Sequence, residues 1–467
     1  MAKKTVHQLK IEHLRYPNKG IAFLGDDEVT VKHGLPGQLV EAECSRKRKQ
    51  KIGHILQILE QAPEEIKPSC PDFNICGGCS FLNIPYEYEL ELKGKMVSQL
   101  LKDICTEDKL FNFGANCAEV VPSPHVTGYR NKMEFSFGDY SKDGGLALGI
   151  RKRNRYYEVT VPSQCALIPD DFKILVDSTL EYFRQTAEAF YHRMRHTGTL
   201  RYLVLRRGEF TGELLINLVT TSGLDQSHVE EWMGRLLSLS AEDRLNGKIT
   251  GILHTISDSL SDAVVPEDVR VLWGRSHFYE KICNLTFGIS PFSFFQTNSA
   301  GAALLYNTVA EFAGHGEIVY DLYCGTGTIA QVLAPYAKEV IGIELVPEAV
   351  IAAKENAQIN NIDNCRFIAG DVLKILEGNI NDGGQELPVP DVMVLDPPRD
   401  GIHPKALTKL IALNVPKIVY VSCKPTSLAR DLVAFQESGY RITDLRLHDM
   451  FPRTPHIETV CLLEKQS

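Results

Sequence analysis

Cys423 is the residue of this sequence best placed to act as a nucleophile. It follows a run of β-branched and aromatic residues and precedes a turn with Pro425 and a helix-like segment, in VYVSCKPTSLARDL. At the start of a helix and beside Lys424, the reactive thiolate is favoured over the thiol. The alternative is a buried structural cysteine, the usual state of a free thiol.

The elements that would position this thiol repeat along the last third of the chain. From Glu317 onward, short apolar runs alternate with helix-like segments, as in IVYDLYCGTG and VIGIELVPEAV. This alternation predicts a mainly parallel, doubly wound α/β sheet. Ligands of such sheets bind at the carboxyl ends of the strands, so polar residues there are expected to converge on one site. Five residues occupy such positions: Asp321, Glu344, Asp371, Asp396 and Cys423.

The turn Gly325-Thr326-Gly327 connects the first of these runs to a helix, and Glu344 ends the next run. A carboxylate there suits hydrogen bonds from the ribose hydroxyls of a nucleotide-like ligand. A nicotinamide dinucleotide would need a third glycine where this chain has Ala330, and Asp321 would repel its pyrophosphate. Both observations favour S-adenosylmethionine, which carries an ammonium and a sulfonium group.

A methyl donor at this edge gives Cys423 a chemical role. Carbon-5 of a pyrimidine is too weakly nucleophilic to take a methyl group unaided, but a thiolate that adds to carbon-6 makes it an enolate carbon. The carbon-5 proton must then leave, which requires a general base. Glu458, in HIETV, precedes the last apolar run and would reach the same edge if that run is an antiparallel strand. Otherwise it is an exposed loop glutamate.

The sequence of the turn Asp396-Pro397-Pro398-Arg399 helps to decide between methylation of an amine and methylation of carbon. Amino-group methyltransferases often carry an aromatic residue after the two prolines, where the ring stacks on the base. Arg399 replaces that ring here, which disfavours methylation of an amine. Asp396 is then available to bind the cofactor or the edge of the base.

Five segments in a fixed order, SPFSFFQTN, DLYCGTG, LDPPRDG, VYVSCKPTSLARDL and HIETV, resemble the RNA uracil-5-methyltransferase family. The resemblance continues through YRNKMEFSF and QCALIP in the middle of the chain. It implies that Cys423 is the nucleophile and Glu458 the proton-abstracting base. Some relatives carry Asn-Phe where this chain has Thr328-Ile329, so a threonine would make that cofactor contact. The resemblance implies six residues around S-adenosylmethionine: Gln296, Tyr323, Thr328, Glu344, Asp371 and Asp396.

Three of the twelve cysteines lie within ten residues, in CPDFNICGGCS, with the spacing C-x5-C-x2-C. With a fourth thiolate they would fit either zinc or an iron–sulfur cluster, and simple buried thiols are the remaining alternative. Cys165 is the best candidate for the fourth ligand, with Cys105 and Cys117 as alternatives. By the resemblance, a [4Fe–4S] cluster with a structural or RNA-positioning role is held by Cys70, Cys76, Cys79 and Cys165.

Length and composition bound the class of protein. A chain of 467 residues predicts two or three domains. No stretch approaches the roughly 18 apolar residues of a membrane span, and MAKKTVHQLK lacks the features of a signal peptide, so a cytoplasmic protein is expected. The net charge of −9 argues against indiscriminate nucleic-acid binding. Basic runs at 46–51 and 151–155 are either solvated surface or phosphate-binding faces.

Three segments follow from these patterns. Residues 1–62 predict a small OB-like β-barrel, and their segment GIAFLGDDEVTVKHGLPGQLVEAE resembles the RNA-binding TRAM domain. Residues 63–290 predict an α+β central domain with the cysteine cluster and RNA contacts. Residues 291–467 predict a Rossmann-like class I methyltransferase domain.

The substrate is expected to be RNA, because a uracil flipped from folded RNA could reach Cys423. The barrel, the two basic runs, Arg130 and Lys132 could grip the surrounding strand. A barrel with a cluster resembles the ribosomal branch of the family, so large-subunit 23S ribosomal RNA is the predicted partner, with no obligate protein partner.

Three alternatives to this substrate remain. The first is a transfer-RNA uracil-5-methyltransferase, and the second a DNA cytosine-5-methyltransferase, which would usually carry a Pro-Cys turn. Here Pro425 instead follows Cys423 by two positions. The third is a non-catalytic RNA-binding assembly protein, disfavoured by the presence of both Cys423 and Glu458.

Overall fold

The computed structural model describes residues 4–47, 50–102, 104, 119–155, 157–262, 264–376 and 387–466. Cys105 and Cys117, the alternative metal ligands, lie outside these residues. No helix in the described ranges combines the length and the apolar character needed to cross a membrane.

The β-strands are β1 (Thr5–Lys10), β2 (His13–Arg15), β3 (Lys19–Leu24), β4 (Asp27–Lys32), β5 (Leu39–Lys47), β6 (Gln50–Glu60), β7 (Val120–Val121), β8 (Lys132–Asp139), β9 (Leu146–Arg151), β10 (Val159–Thr160), β11 (Leu200–Arg207), β12 (Glu213–Thr220), β13 (Lys248–Ile256), β14 (Asp268–Gly274), β15 (Phe278–Ile282), β16 (Leu285–Ile289), β17 (Gly316–Leu322), β18 (Ala337–Glu344), β19 (Cys365–Ala369), β20 (Val392–Leu395), β21 (Lys417–Ser422), β22 (Tyr440–His448) and β23 (Glu458–Lys465).

The helices vary from about one turn to more than four turns. They are α1 (Tyr86–Leu101), α2 (Asp170–Phe183), α3 (Gln226–Ala241), α4 (Ser299–Ala313), α5 (Thr328–Leu333), α6 (Pro347–Ile359), α7 (Val372–Leu376), α8 (Pro404–Ala412) and α9 (Pro425–Glu437).

The described residues form two compact units, neither of which is one continuous segment. The first unit takes the residues up to Ser69, those in Cys79–Ser123 and those from Pro397 onward. The second unit takes Cys70–Gly78 and Pro124–Asp396.

The first unit begins with a six-stranded sheet in the order β1-β5-β6-β4-β3-β2. β4 and β6 are parallel, and the other pairs are antiparallel. Alternate residues point inward, as expected for strands with one buried face, and residues such as Ile11, Val31 and Val40 form the core. Short strands are therefore present where the sequence predicts them, and the assignment to a TRAM domain stays a prediction.

The rest of the first unit contains the strand that leads to Cys423. β23 pairs antiparallel with both β21 and β22, and β7 lies parallel to β22. The middle of β21, Ile418 to Val421, consists of β-branched and aromatic residues, and the strand is buried along nearly its whole length. Pro425 begins α9, a position where the missing N–H of proline costs nothing. The predicted antiparallel orientation of the last strand is confirmed.

The second unit contains a seven-stranded sheet and a set of parallel strands. The seven strands run in the order β10-β9-β8-β11-β12-β13-β14, and residues of α2 and α3, including Trp232, pack on them. β19, β18, β17 and β20 are adjacent and parallel, with α5 and α6 as connections. The α/β alternation predicted from Glu317 onward is confirmed in these strands.

Candidate active site

The glycine turn after β17 is the first part of the site and lies in the second unit. Tyr323, Gly325 and Gly327 all have positive φ, at 68°, 53° and 75°. A tyrosine in the left-handed region is strained, and such strain is concentrated at functional positions. The backbone N–H of Tyr323 donates to the carbonyl of Ile343 at 2.9 Å, which ties the turn to β18. In the part of the chain that the structure describes, no neighbouring atom lies within 4 Å of a Cβ built on Gly325, so a ligand can approach the backbone there.

Glu344, at the end of β18, connects this turn to the next one. One carboxylate oxygen accepts the N–H of Gly325 at 3.0 Å, and the other accepts the N–H of Val346 at 2.9 Å. Each oxygen keeps a second lone pair for a ligand hydroxyl. These two hydrogen bonds therefore hold the carboxylate at the turn.

Asp321 is a fully buried carboxylate at the end of β17. One oxygen accepts the N–H of Ala330 at 2.8 Å, and Oδ1 has no hydrogen-bond partner among the described residues. Burial raises the pKa of Asp321 well above its usual value, and the negative charges of Asp396 and Glu344 act in the same direction. An incompletely satisfied acid beside two further carboxylates favours a cationic ligand.

The other residues that are predicted to bind the cofactor lie in separate surroundings. Burial raises the pKa of Asp396 to about 7. Asp371 accepts the N–H of Leu373 at 2.8 Å and so caps α7. Thr328 is the first residue of α5 and is buried. The carbonyl of Gln296 accepts a hydrogen bond from the side chain of Asn131 at 2.8 Å. The structure thus brings Asp321, Glu344, Asp396 and the turn together, and holds Gln296 and Asp371 by other contacts.

These residues fit S-adenosylmethionine. The left-handed turn leaves an open approach, Glu344 presents acceptors for a ribose, and the orphaned oxygen of Asp321 favours positive charge. The same set would hold the ammonium and the sulfonium of the cofactor, and when bound the cofactor supplies an electrophilic methyl group.

Gly327→Ala is expected to weaken binding of S-adenosylmethionine by at least about tenfold. A Cβ at Gly327 would lie 2.7 Å from the ring of Phe367 and 2.9 Å from the Cβ of Ala353, and the φ of 75° strains any side chain. Isothermal titration calorimetry of the full-length protein measures the affinity. Gly234→Ala, on the exposed face of α3 with no atom within 4 Å, is the matched control. Equal affinities for the two variants would contradict this assignment of the turn.

The cysteine motif lies partly in each unit. In the second unit, Cys70, Cys76 and Cys165 interact electrostatically, and the N–H of Gly78 donates to the sulfur of Cys76 at 3.3 Å. Burial raises the pKa of both Cys70 and Cys165. Cys79 belongs to the first unit.

No group of three or more His, Cys, Asp and Glu side chains in the described part of the chain is arranged to hold a metal ion. The four cysteines predicted as ligands are all described residues. Their assignment to a [4Fe–4S] cluster therefore stays a prediction.

The candidate nucleophile and base lie in the first unit, at one end of a strand pair. Ser422 of β21 is opposite Thr459 of β23, so Cys423 and Glu458 follow at the same end of the ladder. Glu458 is 3% exposed. Cys423 lies immediately before α9, which begins at Pro425. Both residues thus lie at the ends of regular strands.

Tyr16 is a further member of this group that sequence reasoning missed. It follows β2 and is 8% exposed. Burial raises the pKa of Tyr16, and the negative charges of Cys423 and Glu458 raise it further, while Arg399 opposes them. Tyr16 therefore stays a hydroxyl donor beside two acidic groups. The only local signal is the turn in RYPNKG, which says nothing about a residue 400 positions later.

Parallel strands with a glycine turn and acids at their ends are typical of the α/β methyltransferase fold, and Cys423 and Glu458 share one strand end. The model of the tRNA (uracil-5-)-methyltransferase family matches residues 208–466, more than half of the chain. The chain belongs to this family.

Relatives and solved structures agree with that membership. The chain is 43% identical to an uncharacterized RNA methyltransferase of Clostridium tetani, over 100% of this chain and 99% of that one. A relative from Caldanaerobacter subterraneus, also named an uncharacterized RNA methyltransferase, is 42% identical over the full length of both chains. The tRNA (uracil-54, C5)-methyltransferase of Pyrococcus abyssi, in complex with S-adenosyl-L-homocysteine, has a TM-score of 0.75 and 28% identity, covering 98% of this chain and 99% of that chain.

The comparisons confirm two predictions. The protein is an S-adenosylmethionine-dependent RNA methyltransferase, and it is a member of the uracil-5-methyltransferase family. The α/β methyltransferase fold is confirmed as well. The substrate RNA and the roles of the individual residues stay predictions.

Proposed function

We propose that the protein methylates carbon-5 of uridine in large-subunit 23S ribosomal RNA through a covalent adduct on Cys423. The observation that carries this proposal is the shared strand end of Cys423 and Glu458, with Tyr16 beside them. The proposed reaction needs a nucleophile and a base that act on neighbouring carbons of one ring. Two adjacent strand ends supply such a pair.

The thiolate of Cys423 forms a bond to carbon-6, and the electron pair of the ring double bond moves onto the carbonyl at carbon-4. Carbon-5 of this enolate then attacks the methyl group of the donor, and the sulfur of the donor keeps the bonding pair. Splitting the reaction in this way replaces one difficult step by two accessible ones.

Glu458 then removes the proton from carbon-5. The electron pair of the broken C–H bond restores the ring double bond, and the bond from carbon-6 to sulfur breaks, which returns the thiolate. The carboxylate is 3% exposed and lies at the strand end that also carries Cys423.

The methyl donor is held, in this proposal, by residues of the second unit. Glu344 accepts the ribose hydroxyls, and Asp321 and Asp396 favour the positive charges. The full proposed set is Gln296, Tyr323, Thr328, Glu344, Asp371 and Asp396.

We prefer ribosomal RNA as the substrate because an N-terminal barrel together with a cysteine motif resembles the ribosomal branch of the family. We assign residues 1–62 to a TRAM domain that grips the RNA, residues 63–290 to a central domain and residues 291–467 to the methyltransferase domain. Of the basic run in the central domain, Arg151 is already paired with Asp262 in two hydrogen bonds of 2.6 and 2.9 Å. Lys152 and Arg155 lie 3.8 and 3.7 Å from Glu158, and Arg153 donates to the carbonyl of Cys76 at 2.9 Å, so a phosphate would have to compete with these contacts.

Transfer RNA is the second candidate substrate. The description of the matching family names transfer RNA as the substrate. The Pyrococcus abyssi enzyme, which aligns over nearly the whole chain, acts on uracil-54 of transfer RNA. Mass spectrometry of nuclease-digested ribosomal and transfer RNA, from cells with and without this protein, separates the two. Loss of 5-methyluridine from 23S ribosomal RNA supports the proposal, and loss confined to transfer RNA overturns the substrate while keeping the chemistry.

The cysteine motif is proposed to hold a [4Fe–4S] cluster on Cys70, Cys76, Cys79 and Cys165. Protein purified without oxygen is expected to contain about four iron and four sulfide ions per chain. Cys165→Ser should lower the iron content severalfold, whereas Cys283→Ser, at a partly buried cysteine outside the motif, should not. Zinc in place of iron would reassign the metal, and no metal at all would leave the motif as simple thiols.

A further inference from the structure

The loop that precedes Glu458 is anchored to α1 by buried charges. Residues 449–457 join β22 to β23, and the pair His448 and Glu458 is the ladder pair nearest this loop. The ammonium of Lys93 donates to Asp449 at 2.7 Å and to Glu89 at 2.7 Å, and these side chains have no exposed surface. We call Glu89, Lys93 and Asp449 the Lys93 cluster. It fixes the first residue of the loop.

Arg453, in the middle of the same loop, has a second set of anchors. Its N–H donates to Glu89 at 2.7 Å, and its carbonyl accepts the N–H groups of Ser80 and Phe81 at 2.7 and 3.2 Å. Its guanidinium donates to the carbonyl of Ile84 at 3.0 Å. The φ of Arg453 is 67°, a conformation that an arginine adopts only when its surroundings hold it there.

These anchors limit the freedom of the segment that ends at Glu458. Asp449 and Arg453 are each tied to α1 or to the residues before it, and Lys93 also donates to the carbonyl of Phe451 at 3.3 Å. Thr454 and His456 are then joined within the loop, the N–H of His456 donating to the hydroxyl of Thr454 at 3.3 Å. Five of the nine loop residues are thus held, and a carboxylate at the end of such a loop has little room to move.

We propose that Arg453 is a positioning residue that holds the loop of Glu458 for proton abstraction from the methylated adduct. This inference rests on the proposed function of Glu458. Arg453 acts through the loop and does not contact the RNA base. Its loss should therefore slow the step after methyl transfer and leave the steps before it unchanged.

Arg453→Gly is the variant to test first, because glycine adopts a φ of 67° freely and keeps the backbone hydrogen bonds. We expect kcat to fall about tenfold with little change in KM for RNA, and a methylated covalent adduct to accumulate on uridine-containing RNA. Arg441→Ala is the matched control, an exposed arginine at the far end of the same hairpin. It should behave as the unaltered protein. Arg453→Lys, which keeps a cation, should restore part of the rate.

RNA that contains 5-fluorouridine separates this inference from the proposed function. Carbon-5 then carries no removable proton, so both the unaltered protein and Arg453→Gly should be trapped at the same rate. Absence of trapping in the unaltered protein overturns the proposed function itself. Equal trapping, together with equal amounts of adduct on ordinary uridine RNA in the two proteins, overturns the role of Arg453 alone.

If 5-fluorouridine RNA traps Arg453→Gly more slowly than the unaltered protein, the inference is also overturned. The substitution would then impair steps that precede proton abstraction, which indicates a general effect on the structure. If Arg453→Gly does not fold, Arg453→Asn takes its place, since asparagine tolerates positive φ and cannot reach Ile84. The same two RNAs and the same outcomes then apply.

Discussion

Cys423→Ala is expected to abolish methyl transfer, with kcat at least about 10,000-fold lower than in the unaltered protein. Without the thiolate, carbon-5 of uracil stays a poor nucleophile, and no other group of the strand end can add to carbon-6. The measurement is transfer of a radioactive methyl group from S-adenosylmethionine to RNA extracted from cells that lack the protein.

Two control measurements make the test of Cys423→Ala specific. Cys283→Ala, at a thiol outside the strand end, should keep full activity and full covalent trapping by 5-fluorouridine RNA. Binding of S-adenosylmethionine by Cys423→Ala should be unchanged, since the residues proposed to hold it belong to the second unit. Appreciable methylation by Cys423→Ala would contradict the covalent route, and an unchanged cellular phenotype would favour a non-catalytic role in RNA binding.

Lys93→Met is expected to lower the free energy of unfolding by about 3–5 kcal/mol. Lys93 is the cation of the Lys93 cluster, and its removal leaves Glu89 and Asp449 buried together without a partner in the cluster. Urea unfolding followed by circular dichroism measures the difference. Lys95→Met, two residues further along α1 at an exposed pair with Glu91, is the control and should change stability by less than about 0.5 kcal/mol.

The loss in free energy of unfolding caused by Lys93→Met is also expected to depend on pH. Burial raises the pKa of Glu89 to about 7 even with Lys93 present, and the loss of the ammonium raises this pKa further. A group whose pKa is raised by folding contributes stability at low pH and loses it as the pH rises through the folded pKa. The deficit of Lys93→Met should therefore be larger at pH 8 than at pH 5.5. Equal deficits at both pH values, or a deficit no larger than that of Lys95→Met, would contradict a buried carboxylate that depends on the ammonium of Lys93.

The parts of the site that the sequence predicted are those encoded over short distances. β17, its glycine turn and α5 form one continuous segment, and strand ends mark Asp321 and Glu344 because the α/β pattern has a regular period. The orientation of β23 was a conditional prediction, and its register with β21 brings Cys423 and Glu458 to one end.

Long-range relations could not be predicted in this way. Lys93 meets Asp449 across 356 positions of the chain, and Tyr16 reaches the group of Cys423 from the N-terminal sheet. A lysine at position 93 of an amphipathic helix looks like an ordinary surface residue, because periodicity reports which face is polar and not which neighbour covers it. The cysteine spacing likewise indicates proximity, but the arrangement of thiols around a metal depends on backbone turns that spacing does not specify.

Synthesis on the ribosome sets the order in which the first unit can be completed. At about 5–20 residues per second, Lys93 leaves the ribosome roughly 20–70 s before Asp449 does. During that interval α1 lacks the carboxylate supplied by the C-terminal hairpin, so the nascent first unit is held in an incomplete state until the last strands are made. A premature stop codon just after His448 would remove Asp449 and Glu458 together. Such a truncated product would lose the proposed base and the anchor of α1 in a single event, while it would keep every residue of the second unit.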